Sequence, residues 1–345
     1  MLKEKRHLWT GLVVACCLLV LILDSKTALQ GAQQGILLCI QTVIPSLFPF
    51  FVLSTIMNKM LIGVSSPVLR PIASVCGVPK GAESLLLLGF LGGYPVGAKC
   101  VSEAYAEKAV SSSEAKRLLG FCSNAGPAFI FGMGSCIFDR KSLLWVLWAI
   151  HIVSAFLVGS LLPNKRNRSS FLNSVGNTGF ANAVEQSIKA IATVCGWVVI
   201  FRVIISFLQH WILWIFPVEI NVFIFGILEL SNGFCALSDI ADEHIRFLLC
   251  SFILSFGGLC VTMQTVSVTK KLGIGMYFPG KILQACISLM LATILGPLLF
   301  KQIQYSSFDG IILLFCFSTC TAILYIMHHL KNKKKSSRNL ALEYV

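Results

Sequence analysis

The stretch Leu85–Lys99 reads LLLLGFLGGYPVGAK: a short apolar run breaks into Gly92-Gly93-Tyr94-Pro95 and then reaches Gly97-Ala98-Lys99. It is too short to cross a bilayer, since a spanning helix needs about 20 apolar residues. Nor can it stay helical throughout, because Pro95 removes a backbone donor and each glycine costs roughly 1 kcal/mol relative to alanine in a helix interior. In hydrocarbon such a break is tolerated only where the backbone is buried in protein or lines a cavity. The segment is therefore expected to be a re-entrant half-helix that ends at a solute site. The competing reading is a plain loop between two helices.

The remainder of the chain supplies the membrane. Of 345 residues, 56% are hydrophobic and only 12% charged, against about 25% charged in soluble domains. The chain is thus expected to be an all-α, polytopic membrane protein. Its net charge of +13 comes from basic residues at the ends of apolar segments, as orientation signals are placed. No basic stripe with interleaved aromatics is present, which excludes nucleic acid as a partner. The fourteen cysteines are scattered through apolar runs such as those around Cys16, Cys39, Cys250 and Cys316. There they act as small hydrophobes, and no ligand spacing calls for a metal, a cofactor or a disulfide frame.

Apolar runs at Leu8–Leu23, Gly35–Met57 (interrupted by Pro45 and Pro49), Leu118–Phe138, Leu143–Leu162, Ile188–Leu208, Phe247–Val266, Ile282–Phe300 and Ile311–His328 make about eight spanning helices. Leu85–Lys99 and Val222–Leu237 add two re-entrant half-helices, the second broken at Glu229-Leu230-Ser231-Asn232-Gly233. Ser111-Ser112-Ser113-Glu114 is a capping-box pattern that starts the next helix. With the N-terminus in the cytoplasm, 22 of the 28 Lys/Arg fall inside, Lys26, Arg140, Lys141, Arg246 and Lys301 fall outside, and Arg202 lies in a span. On this map Gly35–Met57 runs inward and Ile188–Leu208 outward, and each then leads into re-entrant break, span, span. The expected organisation is an N-terminal membrane helix (1–34), a first repeat (35–163), a cytoplasmic linker (164–187), a second, inverted repeat (188–300), and a C-terminal membrane helix with a basic tail (301–345). A weak sequence echo, Arg117-Leu-Leu-Gly-Phe-Cys-Ser beside Arg246-Phe-Leu-Leu-Cys-Ser, accompanies the inversion. Secondary transporters built this way hold their solute near the midplane, at paired broken helices.

The candidate site residues follow from depth and polarity. Gly92, Gly93, Tyr94 and Pro95 form the first break, and Lys99 closes it, either facing an anion or pairing with Glu103 four residues on. Ser123 and Asn124, beside Gly126-Pro127, offer hydrogen bonds inside a span, or helix–helix glue. Glu229 is the one carboxylate deep in an apolar run, with Asn232 in the same break, and intramembrane acids default to a functional role. Gln264, flanked by Thr262 and Thr265, is the inverted counterpart of Ser123-Asn124. Arg202 is read as snorkelling to the interface. No HExxH, GxSxG or Walker lysine occurs, and the histidines, His151 among them, are read as falling at segment ends. The chain is therefore read as a non-enzyme whose partners are the bilayer and a small-molecule solute, with a homo-oligomer allowed.

Gly92-Gly93-Tyr94-Pro95-Val96-Gly97-Ala98-Lys99, joined to Cys122-Ser123-Asn124-Ala125-Gly126-Pro127 and Glu229-Leu230-Ser231-Asn232-Gly233, resembles the YlbJ/SpoVV family of sporulation integral membrane proteins with nucleoside-recognition (Gate) domains. The resemblance runs from about Ile36 to Phe300. It implies two Gate-type repeats and a role in spore formation, moving dipicolinic acid across the outer forespore membrane. It also implies a distant relation to concentrative nucleoside transporters. Dipicolinate is a planar dianion that half-helix N-termini and Lys99 would suit. A nucleoside would instead want Asn124, Gln264 and Glu229. A non-transporting membrane scaffold is the reading from another class.

The basic asymmetry places both termini in the cytoplasm and the Asp239–His244 loop outside. Asp239→Cys should react with an impermeant maleimide added to intact cells. Labelling only after the cytoplasm is opened would invert the map.

Overall fold

The computed structural model describes residues 2–163, 179–269, 272–300 and 307–343, and among them there are helices and turns but no strand. Helix α1 (Leu2–Leu23) carries exposed apolar side chains from Leu8 to Leu23, as a helix facing lipid does. Asp24 caps α2 (Ser25–Leu38), its Oδ1 accepting from the Thr27 amide at 3.2 Å, so Asp24-Ser25-Lys26 is a helix junction. One π-helical turn, Cys39–Val43, leads straight into α3 (Ile44–Leu61). The start expected at Gly35 is therefore corrected: Ser25–Leu61 is one continuous apolar helix of 37 residues. The π turn absorbs the donor lost at Pro45, and the Ser46 hydroxyl donates to the Thr42 and Val43 carbonyls at 2.6 and 3.2 Å.

After the short α4 (Arg70–Val75) come α5 (Ser84–Leu91) and α6 (Val96–Ala106), separated by Gly92-Gly93-Tyr94-Pro95. The pair folds back on itself: a Cβ built on Gly97 would lie 2.9 Å from the Gly89 Cα. Gly93, at the turn, has φ +78°, a conformation that L side chains rarely adopt. Next, α7 (Ser112–Leu118) opens with the expected capping box, the Ser111 amide donating to Glu114 Oε2 at 2.8 Å and the Glu114 amide to Ser111 Oγ at 3.3 Å. The span expected over Leu118–Phe138 is two elements instead, α7 and α8 (Pro127–Gly134), joined by residues 119–126. Pro127 lacks a backbone donor and disfavours the helical region for Gly126, so a helix can start there but not pass through. Helix α9 (Lys141–Leu161) follows.

The same order of elements then recurs. Helix α10 (Phe180–Trp211) packs along α2 and α3, with Gly31 and Gly35 letting it approach so closely that Cβ atoms there would stand 2.9 Å from the Val203 and Val199 Cα atoms. A folded-back pair, α11 (Val218–Leu228) and α12 (Leu230–Ala236), turns at Glu229. A broken helix follows, α13 (Glu243–Phe256) and α14 (Gly258–Thr269), interrupted at Gly257-Gly258, where φ is +81° and +84°. Then come α15 (Tyr277–Leu299) and α16 (Ser307–Glu343). Residues 164–178 of the expected linker lie outside the described residues. Its last part is helical, since α10 begins at Phe180 rather than at Ile188. The basic tail continues α16, in keeping with its content of Lys, Arg, Leu, Ala and Glu. Among the described residues six helices are long and apolar enough to cross a membrane, with Leu8–Leu23 and Val218–Leu228 as shorter apolar helices.

Backbone meets backbone where each hairpin closes. A methyl on Gly89 or Gly97 would collide with the Cys122 carbonyl oxygen in the α7–α8 break, and one on Gly233 with the Gly226 backbone. Gly196, on an open face of α10, has nothing within 4 Å. Gly89→Ala and Gly97→Ala should therefore each melt markedly lower in detergent than the parent protein. Gly196→Ala should be neutral or stabilised by up to about 1 kcal/mol. Equal melting of all three would remove the hairpin crossing.

Candidate functional site

The turns of both hairpins face one small cavity. Gly92, Gly93 and Tyr94 form one wall, Glu229, Leu230 and Ser231 another, with Ala125 and Gly126 from the α7–α8 break and Gln264 from α14. Its volume is about 40 Å³, room for one to a few waters. Thr42, Ser46, Ala128 and Phe129 line both this cavity and a wider groove of about 620 Å³ that runs out past Cys136, Ile137 and Ser238. The N-terminus of α8 opens onto the cavity through Gly126, Ala128 and Phe129, and places partial positive charge there. Glu229, 2% exposed, is the acid in the wall, and its Oε2 accepts from the Asn232 backbone and side-chain nitrogens at 2.7 Å each.

Behind Tyr94 lies a buried polar cluster that supplies the partners the helix breaks leave unmade. An unbroken helix would satisfy the Leu254 carbonyl with the amide of residue 258. Here the Tyr94 hydroxyl donates to it at 3.1 Å. The Ala125 amide, inside the α7–α8 break, donates to His151 Nε2 at 3.1 Å. His151 Nε2 must then carry the lone pair, so Nδ1 carries the proton and donates to Ser255 Oγ at 3.0 Å. Asn124 donates to the Phe121 carbonyl at 2.8 Å and accepts from Gln284 Nε2 at 2.9 Å, while Gln284 also reaches the His151 carbonyl at 3.2 Å. Lys281, 1% exposed on α15, donates to Gln284 Oε1, Tyr94 Oη and Asn124 Oδ1 at 2.6, 3.1 and 3.3 Å.

Of the residues singled out in the sequence, Gly92, Gly93, Tyr94, Glu229 and Gln264 come together around the cavity, and Asn124 lies in the cluster behind it. Pro95 stands at the N-cap of α6. Ser123 is fully buried, its hydroxyl without a partner among the described residues, and Asn232 turns back onto Glu229. Lys99 is elsewhere: its ammonium donates to Thr55 Oγ1 at 2.6 Å and pairs with Glu103 at 3.1 Å. Arg202 reaches Gln34 and Gln209 at the protein surface.

Sequence reasoning missed Lys281, Gln284, His151 and Ser255. Lys281 counts among the cytoplasmic basic residues when its apolar run is begun at Ile282, yet it is buried. Its spacing of three from Gln284 on one helix face was the available signal. His151 is not at a segment end but midway along α9.

No protein-family model and no solved structure matches the chain. It is similar to the sporulation integral membrane protein YlbJ of Bacillus subtilis (strain 168), 25% identical over 309 residues that cover 75% of either chain. Six helices of spanning length accompany that similarity. With this similarity and these helices, the chain is an integral membrane protein that resembles a sporulation membrane protein.

Proposed function

We propose that the protein is a carrier that moves a small polar or anionic solute across its membrane. The observation that carries this reading is convergence: two hairpin turns and a helix break meet at one largely apolar cavity, into whose wall Glu229, Ser231 and Gln264 bring polar groups, inside a bundle of spanning helices. A scaffold has no use for such breaks, each of which leaves backbone groups to be satisfied in a medium without water. The recurring order of elements supports two inverted Gate-type repeats, α2–α3 through α9 and α10 through α15. Arg117 and Arg246 fit the inversion. Each stands in the first half of a broken helix and spends its guanidinium on carbonyls, Arg117 on Gly159 and Leu162, Arg246 on Ile137 and Ile240. The cavity is too small for a solute as it stands, so this is a closed state, and the groove past Phe129 is the approach from the side opposite the basic termini.

Dipicolinate, carried across the outer forespore membrane during sporulation, is the solute implied by the family resemblance, and the N-terminus of α8 suits a carboxylate. Glu229 favours a second reading. A carboxylate in the wall repels a dianion but accepts hydrogen bonds from a neutral nucleoside, as Gln264 and Ser231 also can.

Uptake of labelled dipicolinate and labelled uridine into proteoliposomes, by the wild type and Glu229→Gln, separates the two. A dipicolinate carrier keeps or gains rate when the negative charge is removed. A nucleoside carrier loses about 10- to 100-fold, the worth of a hydrogen bond to a charged group. Uptake of no small polar solute would leave the scaffold. Lys99→Gln should transport at close to the wild-type rate, since Lys99 is held by Thr55 and Glu103 away from the cavity. Abolished uptake by a Lys99→Gln protein that still folds would return Lys99 to the site.

A further inference from the structure

The Lys281 ammonium has three N–H bonds, and all three are used within the protein: on Gln284 Oε1 at 2.6 Å, Tyr94 Oη at 3.1 Å and Asn124 Oδ1 at 3.3 Å. None is left for a solute, and the Tyr94 side chain stands between the ammonium and the cavity. Every acceptor is a neutral oxygen. Among the described residues no carboxylate lies within ion-pair reach of Lys281. The Tyr94 and Tyr277 rings lie 4.9 and 6.0 Å from the nitrogen, at cation–π distance.

Neutral hydroxyl and amide oxygens around a single positive charge are the coordination that proteins offer to monovalent cations. The three oxygens come from the first hairpin turn, the α7–α8 break and α15, and Tyr94 extends the set to the orphaned carbonyl at the end of α13. A positive charge at this point draws three separate elements onto one centre. A neutral donor could fill one or two of those bonds but would not draw three acceptors inward.

We propose that this cradle is a monovalent-cation site that the chain fills itself. Lys281 is a tethered cation, and its ammonium holds the broken helices together in place of free Na+ or K+. The protein accordingly needs neither ion for its architecture. Trimming the side chain while leaving the three oxygens opens the site to a free cation of similar size and charge.

The test compares melting of the detergent-purified wild type, Lys281→Ala and Lys281→Met in sodium, potassium, ammonium, methylammonium and choline chlorides at equal ionic strength. The wild type should melt alike in all five. Lys281→Ala should melt lowest in choline, which is too bulky to enter. It should recover by several degrees, saturably, with at least one of the smaller cations. Lys281→Met, which fills the space with neither charge nor donor, should stay low in every salt. Three results would overturn the proposal: no smaller cation raises Lys281→Ala, including a protein that aggregates in all five salts; Lys281→Met melts with the wild type; or Na+ or K+ stabilises the wild type over choline. The readout is stability, so it stands or falls independently of whether the protein carries a solute.

Discussion

Interrupting a helix inside a bilayer exposes amides and carbonyls where there is no water to receive them, at several kcal/mol for each group left unpaired (~4–8 kcal/mol by transfer to hydrocarbon). Among its described residues this protein interrupts its helices at four places, and that constraint governs the rest of its architecture. The breaks cannot be scattered over the lipid-facing surface. They are gathered instead, each against another: the Cys122 carbonyl at the Gly89–Gly97 crossing, and Gly258 beside the Gly226 and Leu228 carbonyls. Only glycine permits approach at that distance. The long helices α2–α3, α9, α10 and α15 surround these pieces.

Glycine brings the breaks together, and side chains from remote parts of the chain complete their hydrogen bonding. Tyr94 takes the place of an amide for Leu254, and His151 takes the place of a carbonyl for Ala125. Lys281 and Gln284 then join Tyr94, Asn124 and His151 into one network. A buried network in which every member is satisfied rigidifies its surroundings. Here it forms a fixed floor behind the cavity, while the hairpin turns form the walls. The division is useful in a carrier, where repeats rock about a site that must keep its geometry.

What could be read from the sequence was what is local in the chain. The Gly92–Pro95 break, the Ser111–Glu114 capping box and the Glu229–Asn232 turn each owe their geometry to neighbours within four residues, and each is found where its pattern stands. The convergence of Gly92, Gly93 and Tyr94 with Glu229 and Gln264 was expected from topology. The floor was not legible. Lys281 meets Asn124 and Tyr94 across 157 and 187 residues, and His151 meets Ser255 across 104, with no pattern in the chain to announce these pairs. Lys99 drew attention because it adjoins the glycine-rich turn. Its ammonium is instead taken by Glu103, one turn further along the same helix, and by Thr55 of α3.

The central claim is that the breaks form a protein-buried solute site and are not surface loops. Hydrogen–deuterium exchange of the protein in lipid nanodiscs, followed over peptides spanning residues 89–97, 122–126 and 226–233, tests it most directly. The account predicts slow exchange there, with the surface turn at 62–68 exchanging fast in the same sample, and further slowing when a carried solute is added. Exchange of those three segments as fast as the surface turn, unchanged by dipicolinate or nucleoside, would contradict it.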